Sequence, residues 1–74
     1  MTNTLKLKGL FTSNGLTQKD IAKHLGVSAF TLSLKLHNKR EFKASEIDKL
    51  CSLLHIENVG DIFFANNVEL KSTK

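Results

Sequence analysis

The sequence predicts a single all-α domain of five short helices, in which the second and third form a helix-turn-helix. Three observations support this fold class. The 74 residues contain no proline, apolar residues recur at intervals of three and four along most of the chain, and a Gly-Val-Ser corner separates two short helical patterns. Residues 1–64 are expected to form the helix-turn-helix domain and residues 65–74 a C-terminal tail.

The first helix is predicted over residues 4–13. Three apolar residues share one face of it at helical spacing: Leu7, Leu10 and Phe11. The dipeptide Asn14-Gly15 is typical of a helix stop and a turn. This helix is therefore expected to cover one side of a small core and to end just before the helix-turn-helix.

The second helix is predicted to begin after Thr17, because Asp20 follows three residues later as in a capping box. Its buried stripe consists of Ile21, Ala22 and Leu25. Gly26 can adopt the left-handed conformation that ends a helix and makes a tight turn. The pattern therefore predicts a helix of about two turns, closed at both ends by its own residues.

Ser28 is a suitable cap for the third helix, on which Leu32 and Leu36 are expected to face the core together. The opposite face then carries Phe30, Ser33, Leu34 and His37, with Ala29 near the exposed tip. A helix presented in this way fits the major groove of DNA, which is roughly 12 Å wide. An ordinary helical hairpin inside a small bundle is the alternative interpretation of the same pattern.

Two further helices are predicted after a polar loop, His37 to Glu41, that Phe42 anchors in the core. A fourth helix runs from about Ala44 to His55 with one apolar face: Ile47, Leu50, Cys51 and Leu54. Glu46 in its first turn complements the helix dipole. A short fifth helix, Val59 to Phe64, places Ile62 and either Phe63 or Phe64 at the bottom of the core. Residues 67–71 alternate polar and apolar residues, so the tail is expected to form either a short C-terminal strand or a disordered tail.

The charge distribution favours a polyanionic partner on one face. Eleven basic residues against seven acidic ones give a formal net charge of +4. Four of the basic residues cluster at the exit of the third helix, where a phosphate backbone would run: Lys35, Lys39, Arg40 and Lys43. The acidic residues concentrate later in the chain, at Glu46, Asp48, Glu57 and Asp61.

Several classes of function are disfavoured by the sequence. No apolar run approaches the roughly 20 residues of a membrane span, and the start lacks a signal-peptide core. A single cysteine suits a reducing cytoplasm. Cys51 and His55 are the only pair of thiol and imidazole at ligand spacing, so Cys51 is interpreted as a small core thiol and no metal or cofactor is expected. No paired carboxylates and no nucleophile with a base occur, so the protein is not expected to be an enzyme.

The order of several short segments resembles the phage Cro and repressor family of helix-turn-helix domains. These segments are Leu16-Thr17-Gln18, Ile21-Ala22, Leu25-Gly26-Val27-Ser28, Thr31-Leu32-Ser33 and Lys39-Arg40. With Phe42, Glu46-Ile47 and Ile62-Phe63-Phe64, the chain looks more specifically like the small Cro-like regulators of temperate phages of Gram-positive bacteria. The resemblance covers residues 5–64 and implies a five-helix lambda-repressor-like fold. It also implies a homodimer on operator DNA in the host cytoplasm, where such regulators act in the choice between lysis and lysogeny.

The resemblance also implies roles for individual residues. Gln18 would bind a phosphate from the start of the second helix, and Lys39 and Arg40 would hold the DNA backbone. The residues nearest the bases would be Ser28, Ala29, Phe30, Ser33 and Leu34. To these the sequence itself adds His37 on the outer face and Lys43 in the basic cluster.

Two departures from the family pattern shape the functional hypotheses. Asn38 stands where the family commonly has glycine, and asparagine tolerates the left-handed backbone that such a turn needs. Ala29, Phe30 and Leu34 stand where polar or basic residues usually read bases. An apolar patch of this kind also suits the centre of a protein interface. The sequence therefore predicts a DNA-binding regulator, with an antirepressor that binds and inactivates the phage repressor protein as the alternative.

Overall fold

The computed structural model of the protein describes residues 1–64 and confirms the predicted all-α fold class. The five helices are α1 (Thr4–Ser13), α2 (Gln18–Leu25), α3 (Ala29–Leu36), α4 (Ala44–Leu54) and α5 (Val59–Phe63). Residues 1–64 contain no strand. The strand or disordered tail predicted for residues 65–74 lies outside the described residues.

A single hydrophobic core receives side chains from all five helices. Its buried members are Leu7, Phe11, Ile21, Ala22, Leu25, Leu32, Leu36, Phe42, Leu50, Leu54, Ile62 and Phe63. Leu32 and Leu36 have no exposed surface, so the predicted rotation of α3 is confirmed. Because these two leucines are the inner face of the helix, its other side is left for contacts outside the molecule.

The ends of α2 are closed as the sequence predicts. The Asp20 backbone amide donates to Thr17 Oγ1 at 3.1 Å, and the Thr17 amide donates to Asp20 Oδ2 at 2.9 Å. At the other end Gly26 has φ of +74°, a left-handed conformation that is strained for side chains with a Cβ. The Val27 amide then donates to the Ala22 carbonyl at 3.0 Å. These bonds turn the chain sharply, so that α3 begins packed against α2.

The last two helices differ from the prediction in small ways. The fourth helix ends at Leu54, and His55 caps it with a left-handed φ of +58°. Of the two phenylalanines that could close the core, Phe63 is buried and Phe64 is 59% exposed. The Phe63 ring meets the edge of Phe42 at a centroid distance of 5.5 Å. Phe42 is therefore the predicted anchor of the polar loop, and the aromatic pair joins that loop to α5.

Residues 2–4 bind the end of α3, the residues after it and α5, connections that the sequence does not predict. The Thr2 amide donates to Asn38 Oδ1 at 2.8 Å, and Asn38 Nδ2 donates to the Thr2 carbonyl at 3.2 Å. The hydroxyl of Thr4 donates to the Leu36 carbonyl, and the Asn3 amide donates to the Ile62 carbonyl at 2.6 Å. The carbonyl of Leu36 is one of those that a helix end leaves without a partner. The start of the chain thus supplies a hydrogen-bond donor to the C-terminal end of α3.

The helices of residues 1–64 are all short relative to a bilayer. None is long and apolar enough to span a membrane.

Candidate nucleic-acid interface

The candidate interface is built on the side of α3 that faces away from Leu32 and Leu36. We define this outward face as Ala29, Phe30, Ser33, Leu34 and His37. Ala29, Phe30 and His37 are exposed, and 73% of the surface of Phe30 is accessible to solvent. Ser33 and Leu34 are half-buried. The predicted outward set is therefore brought together on one surface, with Leu34 less accessible than the sequence indicates.

The polar groups of this region are largely engaged within the protein. Ser28 caps α3 by accepting from the Thr31 amide at 3.0 Å, and its hydroxyl lies 3.0 Å from Thr31 Oγ1. The ring nitrogen Nδ1 of His37 donates to the Ser33 carbonyl at 2.8 Å. Because Nδ1 carries the hydrogen in this bond, Nε2 of a neutral ring is an acceptor. His37 thus has one ring nitrogen left for an outside partner.

Exposed cations begin directly at the end of the outward face. The backbone amides of Lys39 and Arg40 both donate to the Leu34 carbonyl, at 2.8 and 3.3 Å. Asn38 allows this return with a left-handed φ of +59°, the backbone conformation that the sequence predicts for this asparagine. The side chains of Lys39, Arg40 and Lys43 are all exposed. We call these three residues the basic loop, which follows the end of α3 and leads into α4.

Gln18, the predicted phosphate ligand of α2, is exposed at the first position of that helix. It follows the Thr17 cap directly, where the free amides of a helix start favour anions. The Asp20 carboxylate occupies part of this helix start through the capping box. Backbone and side-chain hydrogen bonds from Thr17 hold the pKa of Asp20 below its ordinary value, so the group is ionised at neutral pH.

Lys35 does not belong to the basic cluster, which corrects the sequence-based grouping. Its side chain is 4% exposed and forms a salt bridge with Glu46 of α4. The ammonium also lies 5.9 Å from the centroid of the Phe42 ring, within range of a cation–π contact. A signal was present in the sequence, because Lys35 lies three residues after Leu32 and next to Leu36 on the same helical face.

Glu46 accepts hydrogen bonds from two elements at once. Its Oε1 accepts from the Lys43 backbone amide at 2.8 Å, which satisfies the start of α4, and from the Lys35 ammonium. Burial alone would raise the pKa of Glu46, but the bonds from Lys35 and Lys43 and their charges outweigh it, so the pKa lies below its ordinary value. Glu46 is therefore ionised at neutral pH, and its salt bridge with Lys35 holds the C-terminal half of α3 against α4.

Cys51 and the histidines do not form a metal centre in the described part of the chain. No group of three or more histidine, cysteine or acidic residues that could hold a metal ion is present among residues 1–64. Cys51 is half-buried beside the core, so it is less enclosed than the predicted core thiol. Burial and the negative charge of Asp48 raise the pKa of its thiol, which leaves it protonated and weakly nucleophilic at neutral pH.

Comparison with known proteins gives one family match. No curated protein matches the chain. The family model DUF739, described as a protein of unknown function, matches residues 3–66, which include all five helices, the outward face of α3 and the basic loop. The protein therefore belongs to the DUF739 family.

Proposed function

We propose that the protein binds duplex DNA through α3 and acts as a transcriptional regulator. The observation that carries this proposal is the return of the basic loop onto α3, where the Lys39 and Arg40 amides bind the Leu34 carbonyl. A helix that enters the major groove needs cations beside it, because the phosphate backbone borders the groove and supplies most of the affinity. In this protein the residues that come directly after α3 in the chain supply these cations.

A helix that reads the major groove must be fixed to the core on one side and exposed on the other, and α3 has this arrangement. Leu32 and Leu36 fix it to the core, while Ala29 and Phe30 stand exposed in its first turn. In the helix-turn-helix arrangement, residues at the start of the second helix contact base edges and the first helix crosses the backbone. Gln18, exposed at the start of α2, is available for that second contact.

The resemblance to Cro-like phage regulators extends the proposal to a biological role. The protein would act in the bacterial cytoplasm on the operator that governs the choice between lysis and lysogeny. It would bind as a homodimer on two half-sites whose centres lie about 34–36 Å apart, one turn of the double helix. The two copies would then place their α3 helices in successive major grooves on one side of the DNA.

Removing either exposed cation of the basic loop should weaken DNA binding on every sequence. Lys39→Ala and Arg40→Ala should each reduce the slope of log K against log salt by roughly one unit, since each removes one phosphate contact. Titration of duplex DNA at several salt concentrations measures the slope. The matched control is Lys49→Ala on α4, an exposed lysine outside the basic loop, which should leave the slope unchanged. A wild-type slope near zero would contradict the proposed DNA binding.

The exposure of Phe30 supports a second candidate function from another class. A phenyl ring with 73% of its surface exposed, next to Ala29 and the accessible part of Leu34, suits the centre of a protein interface. An antirepressor of this fold would bury the ring in a phage repressor protein and so keep that repressor from its operator. The basic loop would then lie at the rim of the interface, where charges set the rate of association.

The substitution Phe30→Arg should separate the two candidates. An added guanidinium beside the groove should leave DNA binding intact or strengthen it through a phosphate contact. In a protein interface the same group would be buried without a counter-charge, at a cost of several kcal/mol, and the complex should be lost. Binding of operator DNA and of the repressor by the variant is measured in parallel, with Leu5→Arg on the exposed surface of α1 as the control for added charge. Loss of repressor binding in Phe30→Arg, together with no operator binding by the wild type, would favour the antirepressor.

A further inference from the structure

The outward face of α3 is chemically unusual for a surface proposed to read bases. None of its five side chains is a lysine, arginine, asparagine or glutamine, the side chains that pair with base edges through two hydrogen bonds. Phe30 is exposed, Ala29 is exposed beside it, and Leu34 lies one helical turn after Phe30 on the same face. The surface at the centre of this face is therefore apolar.

The other polar groups of this region have few free donors or acceptors with which to replace hydrogen bonds to base edges. The Ser28 hydroxyl is engaged by the Thr31 amide and hydroxyl, and the His37 Nδ1 hydrogen is used by the Ser33 carbonyl. On the outward face, Nε2 of His37 is left for an outside partner, and the Ser33 hydroxyl lies 3.4 Å from His37 Nδ1. Both lie on the side toward the C-terminal half of α3, so the side chains of the first turn, Ala29 and Phe30, offer only apolar surface.

The major groove contains one apolar group among its base edges, the C5-methyl of thymine. A polar base edge placed against the Phe30 ring would lose water without gaining a hydrogen bond, which disfavours it. A thymine methyl at the same place would lose only apolar exposure to water, which favours it. The basic loop holds the flanking phosphates on any sequence, so the apolar face decides which base pairs are accepted beneath it.

We propose that the outward face of α3 recognises the C5-methyl groups of thymines, so that the preferred half-site carries thymines beneath Phe30 and Leu34. This inference rests on the proposed DNA binding and names the chemical feature that is read. Specificity then comes from shape and apolar contact with methyl groups, and affinity comes from the basic loop. The two contributions are separable because they belong to different residues.

Replacing thymine by uracil tests the inference, because it removes the methyl group and keeps every hydrogen-bonding atom. Sites are selected from a random duplex library, and thymines in a selected duplex are then changed to uracil one at a time. We expect thymine enrichment at adjacent positions of the half-site. Each replacement there should weaken binding about four-fold, the effect of losing one buried methyl-sized group, and replacements outside the half-site should have no effect.

A matched pair of variants assigns the effect to the helix. Phe30→Ala should abolish the preference for thymine over uracil at one position and leave the salt slope unchanged. Leu5→Ala, at a residue of α1 that is 85% exposed, should keep both the preference and the slope. A second readout places 5-methylcytosine at the sensitive position, where it should bind more tightly than cytosine because the methyl group is restored.

The outcomes distinguish the inference from the proposal it rests on. Equal binding of thymine and uracil duplexes, with a normal salt slope, would overturn methyl recognition and leave DNA binding standing. Failure to bind any duplex of the library at low salt would overturn both. Loss of the thymine preference in Leu5→Ala to the same extent as in Phe30→Ala would also overturn the assignment to α3.

Discussion

Lys35→Ala is expected to destabilise the protein by about 3–5 kcal/mol, the usual effect of removing one partner of a buried ion pair. The substitution leaves the Glu46 carboxylate buried with only the Lys43 amide as a hydrogen-bond partner. It also removes the stem and ammonium that lie beside the Phe42 ring. A domain of this size has a total stability of roughly 5–15 kcal/mol at most, so thermal or denaturant unfolding should show the change clearly.

Two controls separate the ion pair from general effects of losing a lysine. Lys49→Ala removes an exposed lysine of α4 and should change stability by no more than about 0.5 kcal/mol. The double variant Lys35→Met with Glu46→Gln removes both charges and keeps an oxygen for the Lys43 amide. It should recover most of the loss, because no uncompensated charge stays buried. A melting temperature of Lys35→Ala equal to that of the wild type would contradict the buried pair.

The same pair predicts how stability depends on pH. Because the pKa of Glu46 is lower in the folded protein than its ordinary value of 4.5, its contribution is fully present above that value. The contribution is lost as pH falls through the lower folded-state pKa. Asp20 acts in the same direction through its capping box. Glu46→Gln should therefore flatten the acid side of the stability profile in part, and acid titration of unfolding measures it.

Leu36→Ala should cost about 2–5 kcal/mol, because it opens a cavity in a core position with no exposed surface. Leu36 is shared by the core and by the contact of its carbonyl with the Thr4 hydroxyl, so the end of α3 should loosen as well. Leu5→Ala is the matched control, since Leu5 is 85% exposed and should be nearly neutral. A melting temperature unaffected by Leu36→Ala would mean that α3 packs through another face.

Local rules were sufficient to predict the helix-turn-helix. Thr17 with Asp20, Gly26 and Ser28 are signals that act within a few residues, and each has the predicted geometry in the structure. The core side of α3 followed from the spacing of Leu32 and Leu36 in the same way. Such features depend on hydrogen bonds between near neighbours and on helical periodicity, both of which are written directly in the sequence.

Contacts between segments far apart in the chain cannot be predicted from such local signals. The spacing of Lys35 from Leu32 indicates the core side of α3, but its ion pair with Glu46, eleven residues later on another helix, has no local signal. The bonds of Asn38 to Thr2 join residues 36 apart, and no pattern of neighbouring residues predicts them. In the candidate site the composition of the outward face was predicted. The reduced exposure of Leu34 was not, because it depends on how the chain after α3 folds back.

The bonds between Thr2 and Asn38 have a consequence for the order in which the molecule opens. They close a long stretch of chain with two partly buried hydrogen bonds, whereas α2 and α3 are joined through a short corner and a buried core. Contacts between distant residues tend to form late in folding because loop closure costs entropy first. Release of the first residues would therefore free the end of α3 and the basic loop before the core comes apart. We therefore expect the segment that carries the cations to be among the first parts of the domain to exchange its amide hydrogens.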